Sequence, residues 1–171
     1  GKKEIKNGET NVNLTEADVR AYSFTLTAES ENARNHMPAV TTASMTSAAN
    51  PTFTFGPINF ELADLDTNAD GTTKSTVFEY KISESGNVDG VTNDTRKHTV
   101  KLTVSVNASD NTKLDVVPTY YIGGVQVSAA EFSVFTNEKT SGGLKIKKTV
   151  KENGSSNLTD TGKAVLAGTY T

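Results

Sequence analysis

The chain has 171 residues, a formal net charge of −3, 35% hydrophobic residues and no cysteine. That length suits one domain of ordinary size, or one domain with a fragment of another, and the small, interspersed charge argues against nucleic acid as a partner. The missing thiols exclude disulfides and cysteine metal sites, and no apolar run approaches the roughly 20 residues that span a bilayer, so this segment is not expected to insert in a membrane.

Abundant Thr, Ser, Asn and Gly favour short strands and turns over helices. Residues 1–7, "GKKEIKN", open with a short polar strand, and "LTEADV" can make one helical turn. "AYSFTLTA" is a half-buried strand in which Tyr22, Phe24 and Leu26 alternate with small polar residues. Residues 29–51 show no period and carry the breaks Met37-Pro38 and Asn50-Pro51, which predicts a surface excursion. "TFTFG", "INFEL", "VFEYKISE", "KHTVKLTVSVN", "KLDVVPTYYIG" and "EFSVFTNEK" then read as strands. About seven or more such strands, separated by turn signals, predict an all-β sandwich with little helix.

"TSGG", residues 140–143, has a linker's composition. Beyond it "IKKTVKENG" echoes "GKKEIKNG", and "LAGTYT" echoes "RAYSFT". Residues 1–139 are therefore expected to form one module, and residues 144–171 the first strands of a similar, incomplete one. The N-terminus has no apolar signal core, consistent with a mature or excised segment.

Four strand candidates carry a polar residue on their apolar face. In "VFEYKISE" the series Phe78, Tyr80 and Ile82 ends in Glu84. In "LKIKKTV" Lys148 lies between Ile146 and Val150, and its counterpart near the N-terminus is Lys3, two residues before Ile5. In "FTN" Phe135 shares its face with Asn137. Each taken singly is accommodated by a strand end that flares into solvent. Taken together they offer chemistry: a buried lysine gives up its proton and becomes nucleophilic, and a buried carboxyl takes a proton up. Beside an asparagine amide, such a protonated carboxyl can polarise the carbonyl and shuttle protons while the amine attacks and ammonia leaves, which joins two strands by an amide.

"KEI" near the start, "YKISE" in mid-chain, "GVTNDTRKHTVKLTV" after it and "FTN" at the end resemble, in order and spacing, the streptococcal-type pilin isopeptide-linkage domain across residues 1–138. The resemblance implies an immunoglobulin-like, collagen-adhesin B-type sandwich whose first and last strands are joined by a Lys–Asn isopeptide bond formed with the help of a Glu. Placed on this sequence, the roles fall on Lys3, Asn137 and Glu84, with Lys6 a second choice because it lies on the face opposite Ile5. It further implies a structural module of a Gram-positive pilus or adhesin stalk, extracellular and anchored to the cell wall. Its partners would be neighbouring modules or pilin subunits, with any host ligand unspecified. Such a domain cross-links itself once, is not a turnover enzyme and calls for no cofactor. In backbone pilins of this kind a sortase-linked lysine precedes the acceptor asparagine by about seven residues; here Ala130 stands there.

A different class of function, a β-sandwich that binds carbohydrate or matrix protein, would draw on "DLDTNADGT". There Asp66, Asn68 and Asp70 have the spacing that opens a calcium loop. The twelfth position is Val77 and the ninth Lys74, so an Asx-rich turn is the stronger expectation and no metal is assigned. His36 and His98 lack partners at ligand or triad spacing, and the Asn-x-Ser/Thr matches, Asn93 among them, carry no assignment.

Overall fold

The computed structural model describes residues 1–140. The expected linker beyond Thr140, the expected second module and Lys148 lie outside the described residues. In chain order the elements are β1 (Lys2–Asn7), β2 (Thr10–Val12), α1 (Glu16–Ala21), β3 (Tyr22–Ala28), β4 (Thr42–Ser44), β5 (Thr76–Gly86), β6 (Val91–Thr92), β7 (His98–Val106), β8 (Leu114–Ile122), β9 (Val125–Val127), α2 (Ala129–Phe132) and β10 (Val134–Lys139). Single 3-10 turns cover Asn32–His36 and Leu62–Asp64.

The strands form two sheets, one ordered β2-β1-β10-β6 and the other β4-β3-β5-β7-β8-β9. The expected all-β sandwich is the observed architecture. All pairings within the two sheets are antiparallel except one: β1 and β10, first and last, run parallel, with Lys3 opposite Phe135 and Ile5 opposite Asn137. Parallel neighbours cannot be joined by a tight turn, so nearly the whole domain serves as the crossover between them.

Alternation decides which side chains meet inside. On β3 Tyr22, Phe24 and Leu26 are buried, while on β5 Phe78 and Tyr80 are, and Ile82 packs beside them. From the other sheet come Lys3, Ile5, Phe135 and Asn137. The sheets meet through aromatics: Phe24 meets Phe135 edge-on with ring centroids 5.2 Å apart, and Phe53, from the segment between β4 and β5, stacks on Phe24 at 3.7 Å. Each such ring, fully buried, contributes roughly 1.5–3 kcal/mol relative to exposure.

Two expectations fail in the middle of the chain. "TFTFG" and "INFEL" keep the alternating burial of strands, with Phe53 buried and Ile58 and Phe60 half-buried, yet form no ladder. Only Thr52 makes a bridge, to Lys2, because Pro51 and Pro57 lack donors and the Glu61–Asp64 reciprocal cap turns the chain away. Nor is the 29–51 excursion purely superficial. It supplies β4 to the sheet edge and buries Ala33, Ala43 and Met45, small or flexible side chains that leave no periodic signal.

"EFSVFTNEK" is also two elements rather than one strand. Ser128 Oγ accepts from the Glu131 backbone N–H while the Glu131 carboxylate accepts from that of Ser128, and this capping box winds Ala129–Phe132 into a turn before β10 begins. Thr15 and Asp18 start α1 in the same way.

Candidate functional site

Glu84 lies near the end of β5, two residues beyond the point where pairing with β7 ends at Ile82 and His98. One neighbour is still a strand, with Phe24 opposite Glu84 on β3. On the open side the chain between β5 and β7 folds back and brings Asn93 and Asp94 over the carboxylate's partners. The polar end of an apolar face is therefore covered rather than solvated: the Glu84 side chain is 3% exposed, and Lys3 and Asn137 are fully buried.

All three side chains meet. Lys3 Nζ donates to Glu84 Oε2 at 2.7 Å, and Asn137 Nδ2 donates to Glu84 Oε1 at 2.7 Å. One carboxylate thus holds the amine from the first strand and the amide from the last, one on each oxygen. Burial pushes the Lys3 amine below its ordinary value, and the hydrogen bond and charge of Glu84, with a smaller pull from Asp94, oppose that displacement. Transfer of a proton from Nζ to Glu84 along the hydrogen bond leaves a neutral amine beside a neutral acid, with no change in the net charge of the pocket.

The Asn137 amide is held on every side. Its second Nδ2 hydrogen goes to Asn93 Oδ1 at 2.9 Å, and its Oδ1 accepts the Asp94 backbone N–H at 2.9 Å. Glu84 therefore faces the amide nitrogen, not the carbonyl oxygen that sequence reasoning placed against it. Tyr22 closes the floor: its ring centroid lies 5.0 Å from Lys3 Nζ, a cation–π distance. Burial raises the Tyr22 phenol above its ordinary value. Proximity to Asn137 opposes this and the Glu84 charge adds to it, although the hydroxyl makes no well-formed hydrogen bond.

Sequence reasoning missed Asn93, Asp94 and Tyr22 as members of the site. Tyr22 shows only as an inward strand residue, and Asn93 only as an Asn-x-Thr match and, with Asp94, as part of the family-like stretch "GVTNDTRKHTVKLTV", with no role attached. Asp94 contributes a backbone group, which no side-chain pattern can announce. Its own carboxyl is pushed up by burial but held, on balance, below the usual range by Arg96, whose guanidinium and backbone N–H both donate to it.

Residues 1–140 match the family described as the Spy0128-like isopeptide containing domain. The chain belongs to that family. The domain is also similar to the crystal structure of the major pilin from Streptococcus pyogenes, at 18% identity with a TM-score of 0.47. It is similar to an asparagine-to-alanine mutant of that pilin as well, at 16% identity and 0.44. Each match covers 80% of this chain and 48% of the pilin, so the chain spans about half the pilin's length. No curated protein matches.

None of the other described candidate residues of this Spy0128-like domain hydrogen-bonds the three-residue cluster, although His98 is close enough to feel the charge of Glu84. Lys6 is on the outer face of β1, where it lines a shallow hollow with Glu4 and Arg96. Ala130 is exposed on α2. In the Asp66–Asp70 loop, Asp70 Oδ1 accepts from Thr72 N–H at 3.0 Å and Thr72 Oγ1 at 2.6 Å, while Asn68 Nδ2 donates to the same hydroxyl. These groups close a turn on themselves, and among the described residues no cluster of three or more His, Cys, Asp or Glu is placed to hold a metal. His98 is buried, with Nδ1 2.9 Å from the Phe132 carbonyl and its ring stacked on Phe135 at 3.9 Å. His36 packs edge-on against Phe78.

Proposed function

We propose that residues 1–139 are a structural module of a Gram-positive cell-surface fibre, a pilus or the stalk of an adhesin, locked by an autocatalytic amide bond between Lys3 Nζ and Asn137 Cγ. One observation carries this reading: two nitrogens, from the first and last strands, each hydrogen-bond one oxygen of the same buried carboxylate at 2.7 Å. Membership of an isopeptide-containing family supports it.

In the reaction Lys3 passes a proton to Glu84 and its neutral amine attacks Asn137 Cγ. Glu84 then returns a proton to Nδ2, the C–Nδ2 bond breaks and ammonia leaves; the second Nζ proton released in the attack goes to Glu84. The sum is the Lys3 ammonium, the Glu84 carboxylate and one primary amide giving one secondary amide, ammonia and a protonated Glu84; the departing ammonia carries that proton off as ammonium and restores the carboxylate. The chemistry runs once per chain, so the role is structural rather than that of a turnover enzyme.

The bond closes the loop from Lys3 to Asn137. By the relation used for disulfides, a loop of that length restricts the unfolded chain by about 4–5 kcal/mol. Its mechanical role follows from topology. Pulling the ends of parallel β1 and β10 shears that pair, and a covalent link between them carries the load past the rest of the sandwich. We place the module outside the cell, in a protein anchored to the wall, with neighbouring modules or pilin subunits as its partners. Among the described residues no helix is long and apolar enough to cross a membrane.

Intact mass of the purified protein tests the reading. The expected result is a deficit of one ammonia relative to the sequence, present in wild type and absent in Lys3→Ala and Asn137→Ala. A full sequence mass in folded wild-type protein would overturn it.

A further inference from the structure

We propose that Asn93 is a positioning residue that fixes the orientation of the Asn137 amide. In that orientation the Asp94 backbone N–H polarises the carbonyl under attack, and Glu84 is left to move protons between the two nitrogens. The inference rests on the cross-linking reaction proposed above.

An asparagine amide has two nearly isosteric ends, and which one points where is settled by its neighbours. Here the neighbours leave no choice. The Gly86 carbonyl can only accept, so the Asn93 end facing it at 2.7 Å is Nδ2. That turns Asn93 Oδ1, an acceptor, toward Asn137, and the Asn137 end facing it at 2.9 Å must be Nδ2. Independently, the Asp94 backbone N–H can only donate, so the atom it meets at 2.9 Å is Asn137 Oδ1. Two backbone groups of fixed polarity, one through Asn93 and one directly, therefore specify the same orientation.

That orientation divides the work. Attack on Cγ places negative charge on Oδ1, where a backbone N–H is already aimed, in a pocket closed to solvent; a fixed donor is worth most where water is excluded. The leaving nitrogen lies against the Glu84 carboxyl, the group that must deliver its proton, and its other hydrogen is directed to Asn93 Oδ1. In the reversed orientation the carbonyl oxygen would face the oxygens of Glu84 and Asn93, and the amide N–H groups would face the Asp94 N–H. Each of those contacts is repulsive while Glu84 is ionised.

The test follows the cross-link in time in the full chain, made by pulsed cell-free synthesis, quenched in acid and weighed intact. Wild type gains the ammonia deficit. Asn93→Ala is expected to gain it roughly 10- to 100-fold more slowly, the cost of a loosely held reacting group. Asn93→Asp is the isosteric control. Its protonated form can donate to the Gly86 carbonyl and accept from Asn137 as asparagine does, whereas its ionised form cannot. The rate of Asn93→Asp relative to wild type at the same pH should therefore rise as pH falls through the carboxyl range, about 4 and somewhat above. A wild-type chain that stays at full mass would remove the underlying reaction. A wild type that cross-links beside an Asn93→Ala that keeps pace would overturn this inference alone. So would a slow Asn93→Ala accompanied by a pH-independent Asn93→Asp ratio, since Asn93 would then act only through loop packing.

Discussion

Lys3 lies one diagonal step from Asn137 across the parallel β1–β10 pair, Lys3 being opposite Phe135 and Asn137 opposite Ile5. Direct neighbours in a sheet are too close for an extended lysine, and a diagonal separation of about 7–8 Å suits its four-carbon stem. Both side chains must then lean toward the Asn137 level, which is where Glu84 arrives from the facing sheet. Lys6 belongs to the opposite face, so Lys6→Ala should leave the ammonia deficit intact while Lys3→Ala removes it.

The two ways of preventing the proposed bond should differ in stability. Asn137→Ala leaves the Lys3–Glu84 pair in place, whereas Lys3→Ala leaves a buried carboxyl without its cation, a change that costs about 3–5 kcal/mol. Urea unfolding at neutral pH should therefore rank wild type above Asn137→Ala and Asn137→Ala above Lys3→Ala. Replacing both charges, in Lys3→Met with Glu84→Leu, should recover much of the loss seen in Lys3→Ala. Equal midpoints for Lys3→Ala and Asn137→Ala would show that the pair contributes nothing once the bond is missing.

Gly86 couples backbone conformation to the site. Its φ is 111°, and a Cβ there would sit 1.8 Å from the Ala21 carbonyl oxygen. Its own carbonyl anchors Asn93. Gly86→Ala is expected to destabilise the fold by about 1–3 kcal/mol from backbone strain alone, and the displaced carbonyl should slow cross-linking. Denaturant titration and timed intact mass measure the two effects, and a variant that keeps both at wild-type values would contradict the link.

Tyr22 separates the ring from its hydroxyl. Because the hydroxyl makes no well-formed hydrogen bond, Tyr22→Phe should cross-link fully and change stability by less than about 1 kcal/mol. Tyr22→Ala removes the ring beneath Lys3 and should cost about 3–5 kcal/mol. Thermal and urea unfolding of the two variants distinguish these outcomes.

His98 supplies a pH dependence. Burial lowers its pKa from 6.5; the Phe132 carbonyl and the charges of Asp94 and Glu84 oppose that, and Arg96 reinforces it. As pH falls below 6.5 the unfolded chain takes up this proton first, so its contribution makes stability decline with acidification until the lowered folded value is reached. The decline is at most about 1.4 kcal/mol per pH unit. His98→Phe should flatten that part of the profile relative to wild type, as read from urea midpoints between pH 7 and the acid limit of folding. Parallel profiles would mean that His98 takes up its proton equally in both states.

The parts of the fold legible in the sequence were those carried by strict alternation. The series Tyr22, Phe24, Leu26 and Phe78, Tyr80, Ile82 fixed two central strands, and continuing the second series by one step exposed Glu84. Lys3 and Asn137 were visible for the same reason, as polar members of apolar series. Alternation misled at Ile58 and Phe60, where the side chains alternate in burial but the backbone finds no ladder. It was silent at Asn93 and Asp94, which reach the site through a turn whose geometry depends on Gly86 and on long-range hydrogen bonds. The Ser128–Glu131 cap was a local signal that the neighbouring Phe132 and Phe135 obscured.

The parallel pairing of first and last strands also bears on damage. With an amide between Lys3 and Asn137, the peptide bonds from residue 4 to residue 136 form one arm of a ring and the side-chain bridge forms the other. A protease that cuts an exposed turn, such as the one at Gly123 and Gly124 between β8 and β9, would open the ring without separating its ends. The nicked protein would gain one water in mass and still migrate as a single chain under denaturing conditions, and a fibre built from such modules would remain continuous after the cut.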